Sequence, residues 1–214
     1  MPAKAVIFDL DGTLLDTLDD LADAGNAMLA GLGYATHPVE SYKQFVGDGM
    51  AVLVRRALPP GAEGDVPRAL ERMRAEFATR WNVKSRPYPG IPGLLDAVAA
   101  KGLPMAVLSN KPEDFCQLTV RAYFGAWPWA AIMGETATIP KKPDPAGALA
   151  FARQLGIAPR EFLFIGDSPM DVACALGAGM NPVAVTWGFR AEADLRAAGA
   201  TVLVRSPEDV LGLL

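Results

Sequence analysis

Short, wholly apolar segments alternate with longer segments of helical periodicity over most of the chain. An apolar segment without alternating polar positions predicts a strand that is buried on both faces, as in the middle of a parallel sheet. The segments between them favour helices that cover such a sheet on both sides, so the pattern predicts an α/β fold. The predicted strands are 5–8, 105–108, 162–165, 183–186 and 201–204, with a further candidate at 131–133; the predicted helices are 91–100, 112–123, 144–155, 169–178 and 191–198.

Residues 16–85 depart from this alternation. Apolar residues such as Leu21, Met28 and Leu32 recur there at helical spacing, and no strand-like segment is present. The pattern predicts an all-helical insertion that leaves the sheet after its first strand and returns through the turn-rich segment 86–90. We therefore expect a sheet domain formed by 1–15 and 86–214, and a helical domain formed by 16–85.

Composition and charge exclude several classes of protein. The 214 residues include 20 Lys and Arg against 24 Asp and Glu, a net charge of −4, which disfavours a broad surface for nucleic acid. A single histidine, His37, and two separated cysteines exclude a Cys/His zinc site and any catalytic triad that does not use His37. The N-terminus lacks the apolar region of a signal peptide, and the uncharged stretch 172–189 is interrupted by glycines and Pro182. We expect a cytoplasmic protein without a membrane or nucleic-acid partner; monomer and homodimer both stay open.

Polar side chains follow the predicted strands where a parallel sheet binds its ligands, beyond the carboxyl ends. The first strand runs into Asp-Leu-Asp-Gly-Thr at 9–13, and the second into Ser-Asn-Lys at 109–111. The strand 162–165 runs into Gly-Asp-Ser at 166–168, and a loop before the preceding helix reads Lys-Lys-Pro-Asp at 141–144. Carboxylates, a hydroxyl, an amide and a lysine are therefore expected at one edge of the sheet.

Four of these motifs resemble, in order, the signatures of the haloacid dehalogenase superfamily. They are Asp-Leu-Asp-Gly-Thr, Ser-Asn-Lys, Lys-Pro-Asp-Pro and Gly-Asp-Ser-x-x-Asp, and the helical insertion resembles the C1 cap of that superfamily. Within it, the segments 45–49, 88–90, 109–112 and 186–190 are most similar to the phosphoglycolate phosphatase subfamily. The resemblance implies a Rossmann-like core with a helical cap, and a phosphatase that hydrolyses a small phosphorylated metabolite, 2-phosphoglycolate first among the candidates.

Asp9 and Asp11 lie two positions apart at a strand end, so both can face one cavity. One carboxylate can attack phosphorus and the other can exchange a proton with the leaving group and with water. The resemblance assigns Asp9 as the nucleophile and Asp11 as the acid and base. A calcium-binding loop also begins with Asp-x-Asp, but its third Asp is missing here, and position 20 is Asp where that loop requires Glu.

The chemistry requires a cation. A carboxylate and a phosphate dianion about 4 Å apart repel by roughly 8 kcal/mol at an effective dielectric constant of 20. Asp9 and Asp167 can hold a hard divalent ion, and Mg²⁺ suits such a site. The resemblance adds the backbone carbonyl of Asp11 as a ligand. Asp171 can orient the metal ligands or cap the helix that starts after Ser168, and both roles stay open.

The remaining candidates contact the phosphate or read the leaving group. By resemblance, Lys142 neutralises the nucleophile, although Lys141 competes for this role. The predicted phosphate-binding residues are Gly12, Thr13, Ser109 and Asn110. The candidates to bind a carboxylate of the substrate are Arg55, Arg56 and Arg190. The commoner interpretation of each arginine is an exposed charge. A pyrophosphatase, a sugar-phosphate phosphatase and a phosphomutase of the same fold remain alternatives.

Overall fold

The computed structural model describes residues 3–214, which form an α/β fold. Its strands are β1 (Ala5–Phe8), β2 (Leu15–Asp16), β3 (Arg86–Pro87), β4 (Met105–Pro112), β5 (Trp129–Glu135), β6 (Phe162–Gly166), β7 (Asn181–Val185) and β8 (Val202–Val204). Its α-helices are α1 (Leu18–Leu32), α2 (Val39–Phe45), α3 (Met50–Ala57), α4 (Val66–Ala78), α5 (Ile91–Ala100), α6 (Glu113–Phe124), α7 (Ala146–Leu155), α8 (Pro169–Ala178), α9 (Glu192–Ala197) and α10 (Pro207–Leu211).

Six of the strands form one parallel sheet in the order β5-β4-β1-β6-β7-β8. Successive side chains of β1 enter different cores: Val6 and Phe8 pack on one face of the sheet, and Ala5 and Ile7 on the other. Both faces are covered by helices, which explains why the strand segments are apolar at every position. The predicted α/β class and parallel sheet are confirmed.

Helices α1 to α4 bury a separate hydrophobic cluster, to which Phe115 and Phe189 also contribute. Met28, Tyr42, Leu53 and Phe77 are almost fully buried in it, one from each helix. The periodicity of this segment predicts these apolar faces, because each helix must bury one stripe of side chains.

A short antiparallel ribbon joins the helical segment to the sheet, and the sequence pattern does not predict it. In this ribbon Leu15 pairs with Pro87 and Asp16 with Arg86. Each strand is two residues long, too short to show any periodicity. Beside the ribbon, the buried carboxylate of Asp20 accepts hydrogen bonds from the backbone N–H groups of Lys84 and Ser85 and from the Ser85 hydroxyl, at 2.7–3.1 Å. These hydrogen bonds hold together the two points at which the helical segment joins the sheet.

Two further details differ from the sequence prediction. Strand β4 continues four residues past the predicted end at 108, with a shifted register between Leu108 and Pro112, so the Ser-Asn-Lys motif lies within it. Helix α10 was not predicted and packs near α5. Within residues 3–214, none of the helices combines the length and apolar character needed to cross a bilayer.

Candidate active site

Three buried carboxylates lie together at the carboxyl edge of the sheet. Because β1 and β6 pair in parallel with Phe8 opposite Ile165, the residues that follow each strand, Asp9 and Asp167, become neighbours. Asp9, Asp167 and Asp171 each offer a carboxylate oxygen, and these atoms all lie within 4.8 Å of one another. Hard divalent cations prefer such oxygen ligands, so the donor set fits Mg²⁺.

Lys142 is the cation that contacts this group. Its ammonium lies 2.6 Å from Oδ1 of Asp9 and 2.7 Å from Oδ1 of Asp171, and its side chain is 3% exposed. The neighbouring Lys141 points instead toward Glu135, at 3.4 Å. Of the two lysines that the sequence leaves in competition, the structure brings Lys142 to the carboxylates.

Asp171 lies in the first turn of helix α8, where it caps the helix and also contacts Lys142. Its Oδ2 accepts hydrogen bonds from the backbone N–H and the hydroxyl of Ser168, while the Ser168 hydroxyl accepts one from the Asp171 N–H. This reciprocal pair is a capping box. The other carboxylate oxygen contacts Lys142, so the capping role is present and a role in orienting metal ligands stays a prediction.

The Asp167 carboxylate is held in place by its neighbours. Its Oδ2 accepts a hydrogen bond of 2.7 Å from the Phe189 N–H, and Thr13 Oγ1 donates to Oδ1 at 3.3 Å. Gly12 passes close by with φ of 90°, where a Cβ would lie 2.5 Å from Oδ2. Only glycine fits this backbone conformation and this approach. The predicted phosphate contacts of Gly12 and Thr13 stay predictions.

The electrostatics of the group favour an added cation. Burial, and then the charge of Asp171, raises the pKa of Asp9 well above its usual value, while Lys142 opposes the shift. The same two causes raise the pKa of Asp167 to about 7. Burial lowers the pKa of Lys142, but the charges of Asp171 and Asp9 outweigh it and leave that pKa raised. One lysine does not balance three carboxylates, which is the situation that a divalent cation relieves.

Asp11 lies outside this carboxylate group and has its own partner. Lys111 Nζ contacts both carboxylate oxygens of Asp11, at 2.8 and 3.0 Å. The same ammonium lies 4.9 Å from the centre of the Phe77 ring, which comes from helix α4. Sequence reasoning missed Lys111 as a site residue; its place in the Ser-Asn-Lys motif was the available signal.

Asn110 connects three parts of the site. Its Oδ1 accepts a hydrogen bond of 2.7 Å from the Lys142 N–H, and its Nδ2 donates to the carbonyls of Lys142 and Gly47 at 3.0 and 2.9 Å. The Ser109 hydroxyl accepts from the Lys111 N–H at 3.2 Å. Asn110 therefore ties the lysine loop to the helical segment, and its predicted contact with phosphate, like that of Ser109, stays a prediction.

A cavity lies between the sheet edge and the helical segment. The sheet side supplies the charged and polar lining: Asp9, Asp11, Ser109, Asn110, Lys111 and Lys142. The helical side supplies apolar side chains, namely Leu21, Val46, Met50, Leu53 and Phe77, together with Gly47 and Gly49. A substrate here would place its charged end on the sheet and its remainder under an apolar roof.

The three arginines proposed from the sequence do not line this cavity. Arg55 and Arg56 are exposed, and Arg56 pairs with Asp48. Arg190 donates a hydrogen bond of 2.7 Å to the Val46 carbonyl. It therefore connects the loop after β7 to the loop before α3.

The protein combines a parallel sheet covered by helices, an aspartate pair after the first strand and further aspartates after β6. This combination is typical of hydrolases of the haloacid dehalogenase-like class. The profile of that family, haloacid dehalogenase-like hydrolase, matches residues 6–185, and the chain belongs to it.

Among its relatives, the chain is similar to phosphoglycolate phosphatases. It is 37% identical to the phosphoglycolate phosphatase of Chromobacterium violaceum, covering 99% of this chain and 96% of the relative. It is 34% identical to phosphoglycolate phosphatase 1 of Pseudomonas aeruginosa, covering 97% and 78%. A crystal structure from Lactobacillus delbrueckii subsp. bulgaricus, of a protein inferred to be a phosphoglycolate phosphatase, matches with a TM-score of 0.90 and 33% identity over 99% of this chain and 98% of the other.

Proposed function

We propose that this protein is a Mg²⁺-dependent phosphomonoesterase that uses Asp9 as its nucleophile and acts on 2-phosphoglycolate. The observation that carries the proposal is the buried Asp9 carboxylate, which lines the cavity, contacts Lys142 and is grouped with Asp167 and Asp171. The names of the similar proteins support the choice of substrate.

In the first step, an Asp9 carboxylate oxygen forms a bond to phosphorus while the bond from phosphorus to the alcohol oxygen breaks. The leaving oxygen takes a proton from the Asp11 carboxyl, and Asp9 carries the phosphoryl group as an acyl phosphate. Lys142 offsets negative charge at Asp9 as it reacts, and it is already in place, so no reorganisation is needed. Mg²⁺ bound at Asp9 and Asp167 would neutralise charge on the phosphoryl oxygens.

In the second step, a water molecule attacks phosphorus of the acyl phosphate. The Asp11 carboxylate, which lost its proton in the first step, accepts one from this water, and Asp9 leaves as a carboxylate. Phosphate and the alcohol are the products, and both aspartates return to their starting forms.

The helical segment 16–85 would act as a cap on this reaction. Its side chains roof the cavity, and its loop carbonyls at Val46 and Gly47 accept hydrogen bonds from Arg190 and Asn110 of the sheet domain. A roof that excludes water strengthens the electrostatic interactions beneath it. We propose the division into 1–15 with 86–214 and 16–85 on this basis.

Release of inorganic phosphate tests the proposal. The protein should release phosphate from 2-phosphoglycolate with Mg²⁺ and lose this activity on chelation. Asp9→Asn should abolish turnover, whereas the control Asp96→Asn changes an exposed carboxylate that accepts a hydrogen bond from Trp127 and should retain it. Retained turnover in Asp9→Asn would refute the assignment of the nucleophile.

A substrate panel tests the choice of phosphoglycolate separately. The ratio of kcat/KM values for phosphoglycolate, pyrophosphate and sugar phosphates measures specificity directly. A higher kcat/KM for either alternative would leave the phosphatase proposal standing and overturn its substrate.

A further inference from the structure

Lys111 is the cation in the cavity that does not contact the proposed nucleophile. Its side chain is 5% exposed, and within residues 3–214 its ammonium pairs only with Asp11 while it faces the Phe77 ring. Lys142, the other lysine in the lining, is committed to Asp9 and Asp171. Lys111 is therefore placed on the side where the leaving group of a substrate would lie.

The roof of the cavity offers no alternative cation among the described residues. Its side chains are apolar, and its two glycines contribute backbone only. Arg56 is paired with Asp48 outside the cavity. Arg190 does not line the cavity: one of its amino groups donates to the Val46 carbonyl, and the other is buried without a hydrogen-bond partner among the described residues. A negatively charged leaving group that entered under this roof would be buried without a partner unless it met Lys111.

We propose that Lys111 is the specificity-determining residue that binds an anionic group, a carboxylate, on the leaving group of the substrate. The inference rests on the proposed function, in which that group is the carboxylate of 2-phosphoglycolate. Lys111 therefore takes the place of Arg55, Arg56 and Arg190 as the residue that binds the substrate carboxylate.

The geometry suits an exchange of partners. A substrate carboxylate that takes the place of the Asp11 carboxylate at Lys111 Nζ keeps the buried ammonium paired. The same exchange releases both Asp11 oxygens, at 2.8 and 3.0 Å from the ammonium, to face the leaving oxygen. The Phe77 ring keeps water from one side of the ammonium, and charge-assisted hydrogen bonds are stronger in such an environment. A neutral leaving group would give neither effect.

A matched pair of substrates tests this role. In 2-phosphoglycolamide a neutral amide replaces the carboxylate of 2-phosphoglycolate, so the two differ chiefly in charge. Wild-type protein should prefer the carboxylate by about 10- to 100-fold in kcat/KM, the range for a charged hydrogen bond. Lys111→Met should abolish most of that preference, and Lys111→Arg should retain part of it. The control Lys43→Met, which removes a partly exposed lysine paired with Glu40, should leave it unchanged.

The outcomes separate this inference from the proposed function. If Lys111→Met lowers kcat/KM equally for both substrates, Lys111 acts only through Asp11 and the inference is wrong. If wild-type protein hydrolyses both equally well, the phosphatase proposal stands and the role of Lys111 falls; if it hydrolyses neither, both fall.

A measurement on wild-type protein covers the case in which Lys111→Met does not fold. Glycolate should inhibit hydrolysis of p-nitrophenyl phosphate at least about 10-fold more strongly than ethylene glycol, which lacks the charge. Equal inhibition by the two would overturn the inference.

Discussion

Replacing Lys142 with Met tests the electrostatic account of the site most directly. Met keeps much of the length of the side chain and removes its charge from between Asp9 and Asp171, which contact the ammonium at 2.6 and 2.7 Å. The folded protein must then either keep several buried carboxylates without their lysine or add a proton to one of them.

The cost of the two choices can be compared. At 4.8 Å, the largest separation between the oxygens of Asp9, Asp167 and Asp171, one pair of charges repels by roughly 3.5 kcal/mol at an effective dielectric constant of about 20. Adding a proton to an aspartate of ordinary pKa costs about 5 kcal/mol near pH 7.5 and about 1.5 kcal/mol near pH 5. Each carboxylate in this group of three has two such neighbours, which together repel it by roughly 7 kcal/mol. Protonation is the smaller cost and limits the loss, so we expect metal-free Lys142→Met to lose about 3–5 kcal/mol of unfolding free energy near pH 7.5.

The free energy of unfolding of Lys142→Met depends on pH through the same carboxylates. Loss of Lys142 removes the charge that opposes the raised pKa of Asp9, so the folded-state pKa of that carboxyl rises further above its unfolded value. The folded variant then binds more protons than the unfolded chain, so its stability is greatest at low pH and falls as pH rises. The penalty relative to wild type should shrink to about 1–2 kcal/mol near pH 5.

Urea unfolding followed by tryptophan fluorescence, in the presence of a chelator, measures this penalty at both pH values. The control is Lys141→Met, which removes a partly exposed lysine paired with Glu135 and should cost less than about 1 kcal/mol. In parallel, kcat of Lys142→Met should fall by about 10²- to 10³-fold. A penalty that is equal at the two pH values would indicate lost packing only and would refute the electrostatic account.

Three further predictions address other parts of the site. The pKa of Asp167 is raised to about 7 by burial and by Asp171, above its unfolded value, so the metal-free protein should lose stability as pH rises from about 4 to about 7. Asp167→Asn should flatten this slope in urea titrations, and an unchanged slope would exclude Asp167 as its source. Gly12→Ala, at φ of 90° and with its Cβ 2.5 Å from Asp167, should cost about 2 kcal/mol or more and weaken Mg²⁺ binding measured by calorimetry; wild-type affinity would contradict the close approach. Asp20→Ala leaves the donors of Lys84 and Ser85 without their buried acceptor and should cost about 2–4 kcal/mol, with faster amide exchange at both residues; unchanged exchange would show that they are held by other contacts.

The sheet could be predicted because its strands pack against a hydrophobic core on both faces. Ala5 and Ile7 face one core while Val6 and Phe8 face the other, so the segment is apolar throughout and stands out in the sequence. The position of Asp9 beside Asp167 followed from the rule that parallel strands end at one edge, and the carboxylates indeed lie within 4.8 Å. These features depend on local pattern and on topology alone.

The contacts between distant side chains could not be predicted in the same way. The pair Lys111 and Asp11 joins residues one hundred positions apart, and nothing in the pattern near either one selects the other. The position of Lys111 depends on β4 continuing past its apolar part, where the register shifts and no hydrophobic signal remains. The bond between Asn110 and the Gly47 carbonyl depends on how the helical segment sits over the sheet, which periodicity does not determine.

The ribbon of β2 and β3 has a consequence for how such a protein can change over time. Residues 16 and 86 are paired neighbours, so about one strand spacing, roughly 4.8 Å, separates the points where the chain leaves the sheet domain and returns to it. A helical insert of another size or shape can begin and end at this ribbon without moving β1 or β4. The cost of closing a longer loop grows only as the logarithm of its length, by about 0.6 kcal/mol for each doubling. The apolar roof of the cavity can thus be exchanged as a module while the carboxylates and lysines on the sheet side, Lys111 among them, are preserved.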